Sequence, residues 1–387
     1  MTTGPVNPGQ KLIGLEVLRF LAALGVLVWH FEHFAFGGNF PVPGDSLPFH
    51  NVFAIFYAHG QTGVQLFWCI SGFIFAWRYG APIQAGTISF SRFMVLRFSR
   101  LYPLQAVTLI VLVLVQWAYI QGHPWYFMYQ QNNLKHFLLN LVFAQYWGLQ
   151  DGLSFNGPSW SISIEILVYV LFFGFSRLIG AGLWSALGVT AGLFVLGFAI
   201  HAAFGMIPEL IFAAIFFYSG VITCFLHRLI SPSRTMRIAA GVLSLIVIIL
   251  LGYGVAVGRL TMGWTGTKVF PAIVIFPAMV VLVQVSIPDR FAPVNTVLTF
   301  LGDMTYSSYM VHFPLQVVVV MLLENLGIPM PALFFSPIFF LAYLLAVFVI
   351  ARIMFRGFER PAQDWLRRLL LPRPVMRARA EAPPVRL

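Results

Sequence analysis

Stretches of about twenty consecutive apolar residues recur along the whole of this 387-residue chain, and no other feature limits its fold so sharply. A helix of that length crosses a hydrocarbon core roughly 30 Å thick while pairing every backbone N–H and C=O within itself. Hydrophobic residues make up 59% of the chain and charged ones only 9%, against about 25% charged in soluble proteins. Such a chain cannot cover a water-facing surface. The pattern predicts an all-α, polytopic membrane helix bundle of about ten transmembrane helices, near 12–34, 52–77, 100–120, 159–176, 182–204, 209–227, 238–257, 268–287, 303–323 and 333–355. A weaker segment over 134–148 fits a re-entrant or interfacial helix.

Basic residues set the orientation. Arg78, Arg92, Arg97 and Arg100 crowd the connection after the second span, Arg177 follows the fourth, Arg228, Arg234 and Arg237 the sixth, and Arg290 the eighth. The alternate connections hold only Lys135, Arg259 and Lys268. By the positive-inside rule both termini are cytoplasmic, the parity that an even number of spans requires. The net charge of +11 therefore reads as topology, and no nucleic-acid partner is expected. Cys69 and Cys224 both fall inside apolar segments, with no metal-ligand spacing around them. Residues 1–10 form a polar tail without a basic signal-peptide start, so the first span is expected to be retained. Residues 11–358 form the membrane domain, and 359–387 a basic cytoplasmic tail, amphipathic at first and disordered at its end, drawn to anionic headgroups. The aromatic connection 121–158 lies outside, either as an interfacial belt or as a lid over an outward-facing site.

Ionisable residues inside these spans are expensive and mark sites or pathways. Arg19 and His30 lie eleven residues apart, so eleven helical steps of about 100° put them on one face, roughly 16 Å apart along the axis. Ser161, Glu165 and Tyr169 recur at four-residue spacing and share a face of the fourth span. Glu165 is expected at a depth comparable to His30 and beside it. Ser308 and His312 stand one turn apart in the ninth span, with Pro314 loosening the backbone beyond. Glu32 and His33 are expected close to the membrane surface and read as structural, as does His201, which has no polar companion at helical spacing. Ser71-Gly72 permits close helix approach, and the arginine cluster after the second span suits phosphate recognition.

Taken in order, "LEVLRFLAALGVLVWH", "FWCISGFIFAWR", "RFSRLYPL", "PSWSISIEILVYV" and "YSSYMVHFPL" resemble the acyltransferase-3 family of integral membrane O-acyltransferases. The resemblance spans the first to the ninth segment. It implies a ten-helix bundle that takes an acyl group, commonly acetyl, from acetyl-CoA or another acyl-CoA in the cytoplasm and delivers it to a hydroxyl of a surface or exported carbohydrate, glycolipid or secondary metabolite. It also implies a bacterial inner membrane and no metal. By position, His30 matches the catalytic histidine and Arg19 its motif arginine. Arg78, Arg97 and Arg100 fall in the donor-associated basic region, and Ser71 is grouped with them. Two departures stand out: Glu16 replaces a more usual aspartate or polar residue, and "SISIEILVY" lacks a second polar residue after its glutamate. An extracytoplasmic esterase-like domain, present in some members of that family, is not expected after the last span.

The expected chemistry places donor phosphates on the cytoplasmic arginines, the donor arm past Arg19, and the thioester at His30. A neutral imidazole takes the acceptor proton, Glu165 orients the ring, and Arg19, Ser161, Tyr169, Ser308 and His312 contact substrate. Transient acylation of His30 is the alternative within this class. The rival from another class is a transporter or lipid-handling protein, which would show matching halves with paired broken helices; the sequence has no such repeat.

Overall fold

A computed structural model describes residues 12–37, 40–43, 46–260, 270–286 and 292–371. The N-terminal tail, Lys268, Arg290 and the end of the C-terminal tail lie outside these described residues. Every regular element among the described residues is helical: α1 (Ile13–His30), α2 (His33–Gly37), α3 (His50–His59), α4 (Gly63–Phe75), α5 (Ala81–Gln84), α6 (Phe90–Tyr119), α7 (Leu134–Leu141), α8 (Trp160–Leu178), α9 (Leu183–Phe204), α10 (Glu209–Ile230), α11 (Arg234–Ala256), α12 (Phe270–Ser286), α13 (Ala292–Asp303), α14 (Thr305–Asn325), α15 (Met330–Phe334), α16 (Pro337–Met354) and α17 (Arg360–Leu370). Eight stretches are long and apolar enough to cross a membrane, and Pro271–Ser286 is a shorter apolar helix. The all-α polytopic bundle is confirmed.

Two expected spans take a different form. The second is broken: α3 gives way to a tight turn at Gly60–Thr62 before α4, and α4 runs through a wide π-turn at Ala76–Gly80 into α5. Sequence hydropathy cannot register such a break, because its cause lies in a neighbouring helix. A Cβ at Gly60 would collide with the Gly25 carbonyl of α1, and one at Gly63 with the Ala22 carbonyl. The chain turns where α1 passes closest. The third span begins ten residues earlier than its apolar run, as α6, whose first turn is capped by the Ser89 hydroxyl accepting from Arg92 N–H. Arg92, Arg97 and Arg100 therefore stand on a helix and not in a loop. At 30 residues, α6 is about 45 Å long and overshoots a roughly 30 Å hydrocarbon core.

The bundle is held at its centre by α4 and α10. A Cβ on Gly72 would strike the Phe217 carbonyl, and one on Gly220 the Cys69 carbonyl, so each helix lends the other a glycine for backbone approach. Ser71-Gly72 thus acts as the sequence suggested. Cys69 and Cys224 are buried and unpaired as a disulfide. By contrast, α9 and α11 turn Phe194, Phe198, Leu243 and Leu250 outward, the face a lipid-exposed helix presents. His201 is on that outward face of α9.

Connection 121–158 is a packed cap. Gln116 pairs with both backbone groups of Phe127, at 3.0 and 3.1 Å. Asn132 accepts from Phe155 N–H at 2.6 Å, and Asn156 donates to the Met310 carbonyl at 3.0 Å. The eight-residue α7 is too short to span a membrane. Outside the bundle, the Lys135 ammonium lies 2.8 Å from Asp151 and holds that carboxyl below its usual range.

Gly72→Val is expected to separate α4 from α10 at a cost near the upper end of the about 1–3 kcal/mol typical of overpacking. The measurement is thermal unfolding of the detergent-purified protein. An unchanged midpoint would show that the two backbones do not meet there.

Candidate functional site: two cavities along one helix

Helix α1 runs between two cavities. The inner one, about 130 Å³, is lined by Arg19, Ser71, Arg97, Arg100, Ser161, Glu165, Tyr169, Thr305, Tyr306 and Tyr309, with apolar walls from α4 and α6. A water needs about 10–15 Å³ on this measure, so the space admits several waters or a slender chain. The outer one, about 220 Å³, is lined by Val26, Trp29, His30, Gln61, Val64, Tyr146, Trp160, Glu209 and Tyr309. Val64 and Tyr309 belong to both. Tyr309 is fixed there: its hydroxyl lies 2.9 Å from Ser161 Oγ and donates to the Pro158 carbonyl. The partition between the cavities is thus a hydrogen-bonded tyrosine on α14 held by the start of α8.

The shared face of α1 is realised. Arg19 opens on the inner cavity and His30 on the outer. Arg19 Nη1 lies 3.2 Å from Glu16 Oε2, with the two side chains only 15% and 12% exposed. Gly302 of α13 leaves room for the Glu16 carboxylate, since a Cβ there would overlap it. Glu16, noted in the sequence only as a departure, is the counter-ion of Arg19.

His30 ends α1 among other rings: its centroid is 4.7 Å from Trp29, 4.7 Å from His33 and 4.8 Å from His312. Gln316 ties two of these together, donating to the His30 carbonyl at 2.7 Å while its Oε1 lies 3.2 Å from His33 Nδ1. That geometry assigns the His33 proton to Nδ1. His312 Nδ1 in turn is 2.6 Å from the Tyr309 carbonyl. His33 therefore belongs to the histidine cluster and is buried among its neighbours, where an exposed surface position was expected.

Glu165 does not stand beside His30. Its carboxylate accepts from Ser71 Oγ at 2.8 Å, has the Tyr169 hydroxyl in reach, and faces the field of Arg97 and Arg100 in the inner cavity. The expected depth match failed because Glu165 is a full turn beyond Ser161, about 6 Å further along α8, and Ser161 already forms the partition. Ser161 and Tyr169 line the inner cavity as the periodicity indicated. Ser308 is turned inward on its own helix, donating to the Thr305 carbonyl at 3.1 Å, and neither it nor His312 lines either cavity. His312 lies behind His30, ring against ring at 4.8 Å.

Four residues escaped the sequence analysis. Tyr309 lies within the motif that carried Ser308 and His312, but only the neighbouring helix reveals it as the partition. Glu209 opens α10 on the outer cavity, with one carboxylate oxygen buried and unpartnered; a lone acid at a helix start otherwise reads as dipole compensation. Gln316 sits one turn past His312, and an amide carried no charge signal. Glu359, from the π-turn after α16, accepts from Ser307 within the bundle. Among the described residues, no group of three or more His, Cys, Asp or Glu is arranged to hold a metal ion.

A helical membrane bundle with ionisable cavities opening toward opposite ends of one helix defines a polytopic membrane protein whose chemistry is internal. Residues 12–354 match the family model described as an acyltransferase domain, and the chain belongs to that family, acyltransferase-3; it is an acyltransferase. It is 25% identical over 338 residues to "Acyltransferase MdmB" of Streptomyces mycarofaciens, covering 78% of each chain. A second relative, "Protein 2 in picA locus" of Rhizobium radiobacter, is 34% identical over 103 residues, 27% of this chain and 44% of the relative. No solved structure matches the chain.

Removing the Glu16 carboxylate leaves Arg19 charged and largely dry. Glu16→Ala is expected to cost about 3 kcal/mol, the lower end for breaking a buried pair, and Glu16→Ala/Arg19→Met to recover part of it. Thermal unfolding of these proteins and of Arg19→Met alone, four in all, checks both steps, and an additive double variant would show that the pair is not coupled.

Proposed function

We propose that the protein is an O-acyltransferase of the bacterial inner membrane, moving an acetyl group from cytoplasmic acetyl-CoA to a hydroxyl on an exported carbohydrate, glycolipid or secondary metabolite. The observation that carries this reading is the pair of cavities on one face of α1, with Arg19 in the inner and His30 in the outer. Donor and acceptor approach from opposite sides, and Tyr309 with Val64 stands between their spaces.

The donor's phosphates dock where Arg78, Arg97 and Arg100 converge at the cytoplasmic start of α6. The π-turn after α4 carries Arg78 and Tyr79 to this place, and Arg97 donates to the Tyr79 hydroxyl while stacking over Phe75 at 4.9 Å and Tyr79 at 4.8 Å. The amide-bearing arm enters the inner cavity, where Ser71, Glu165 and Tyr169 offer hydrogen-bonding groups and Arg19 a fixed positive charge. Glu165 serves the donor arm in this scheme, because it lies on the wrong side of Tyr309 to orient His30.

At the partition the thioester meets the acceptor. His30, as neutral imidazole, takes the hydroxyl proton while the oxygen attacks the thioester carbon. The C–O bond forms, the C–S bond breaks, and the leaving thiolate takes the proton from the imidazolium. Tyr309, at the junction, steadies the oxyanion when its single O–H proton turns from the Pro158 carbonyl to the thioester oxygen. Trp29, Tyr146 and Trp160 around the outer cavity offer the flat apolar faces against which a sugar ring packs.

His30→Ala is expected to lower transfer by at least about 100-fold, the usual contribution of general base catalysis, with the thermal midpoint unchanged. The assay follows label from acetyl-labelled acetyl-CoA into envelope glycans in inverted vesicles; full activity in this variant would end the assignment. In the same assay Arg100→Ala is expected to raise the KM for acetyl-CoA about tenfold before it changes kcat, as loss of a charge-assisted hydrogen bond does. A fall in kcat at unchanged KM would move Arg100 from donor binding to the chemistry.

A further inference from the structure

Helix α17 continues α16 through the π-turn Phe355–Glu359 and packs along α6. Its sequence is amphipathic and basic, and a lipid-headgroup role accounts for part of it. Trp365 and Leu369 lie one turn apart and are 61% and 64% exposed, so they define the face turned to the membrane interface. Arg368 is close to that face and exposed. Arg367 is not. At 100° per residue it lies about 160° from both Trp365 and Leu369, on the side docked against α6.

Its guanidinium is held there by two bonds: Nε donates to Ser99 Oγ at 3.2 Å and Nη2 to the Leu96 carbonyl at 3.4 Å. Those acceptors belong to the single turn of α6 that also carries Arg97 and Arg100. Arg97 and Arg100 are charge neighbours of Arg367, and the same two are charge neighbours of Arg78 from the π-turn after α4. Three separate elements thus bring four guanidinium groups to one place. The acids near the cluster are Glu16, Asp364, Glu165 and Glu359; Glu16 is already paired with Arg19 at 3.2 Å, Glu165 accepts from Ser71 Oγ and Glu359 from Ser307 Oγ.

Like charges gathered in a partly dry setting repel one another unless an anion lies among them. Donors are also left over. The Nε atoms of Arg78 and Arg97 are buried without a hydrogen-bond partner, and an unpaired buried donor of a charged group is costly. A phosphate ester or anhydride, with several acceptor oxygens and two or more charges, satisfies both demands at once.

We infer that Arg367 of the C-terminal helix is a phosphate-binding residue, completing with Arg78, Arg97 and Arg100 a site for the nucleotide phosphates of the acyl-CoA donor. The assignment rests on the donor reading above. The tail helix then has two faces with two tasks: Trp365 and Leu369 fix it in the interface, and Arg367 closes the cytoplasmic mouth over the bound donor.

The test is calorimetric titration of coenzyme A into the full-length protein in nanodiscs of phosphatidylcholine, repeated with phosphatidylglycerol added. Arg367→Gln is expected to weaken binding about tenfold in both lipids, the effect of one charge-assisted hydrogen bond. Arg367→Lys is expected to retain most of the affinity. Ser99→Ala, which removes a docking bond but leaves the cation, is expected to bind as the unmodified protein does. Unchanged affinity in Arg367→Gln overturns the assignment, and a loss seen only with phosphatidylglycerol does so by giving Arg367 to a lipid headgroup. An equal loss in Ser99→Ala overturns it by making the effect one of undocking. If the unmodified protein binds no coenzyme A, the donor reading falls and this assignment with it.

Discussion

An arginine in the middle of an apolar helix has no resting place in hydrocarbon, and much of this bundle can be understood as the housing of Arg19. Its charge demands a counter-ion, supplied three residues earlier by Glu16, and the pair demands a dry enclosure with room for a carboxylate. Gly302 gives that room. The enclosure comes from α4, α12, α13 and α14, which pack around α1 and leave only one side of it open to the cavities. Once α1 is central, its other polar residue on that face, His30, must also look into the interior and not into lipid.

The glycine contacts act on the same geometry. Gly60 and Gly63 let the broken second segment cross α1 at backbone distance, and Gly72 with Gly220 draws α10 against α4. Close approach there turns Ser71, the residue before Gly72, toward Glu165 of α8. Packing and polarity are therefore not separate achievements. The small residues that permit helix contact also decide which hydroxyl meets which carboxylate, and a bulkier residue at Gly72 would move Ser71 along with the backbone.

How far the sequence disclosed this depends on whether a feature belongs to one helix or to two. Helical class, most span positions, the common face of Arg19 and His30, and the common face of Ser161, Glu165 and Tyr169 follow from periodicity within one segment, and all are present. What failed needed a partner. The pairing of His30 with Glu165 assumed equal depth, and the packing of α8 against α14 instead sets Glu165 a turn beyond the partition, in the other cavity from His30. His33 was placed near the surface because residues from a single helix cannot reveal that Gln316, 283 positions away, has drawn it in. The break in the second span was hidden for the same reason: the run stays apolar throughout, and only the passage of α1 explains the turn at Gly60.

On the acyl-transfer scheme proposed above, the partition at Tyr309 resolves a conflict inherent in any enzyme whose substrates occupy opposite sides of a membrane. An open channel between the two cavities would let water reach a thioester and would leak protons and small solutes. A permanent wall would prevent reaction. A single aromatic side chain anchored by two hydrogen bonds meets both demands, since net contributions of such bonds are about 0.5–1.5 kcal/mol each, small enough for a bound substrate to replace. Both anchors, Ser161 and Pro158, lie at the start of α8 just beneath the packed outer cap. Docking of an acceptor against that cap can therefore act on the same few residues that hold the partition shut, which couples arrival of the hydroxyl to exposure of the acyl carbon.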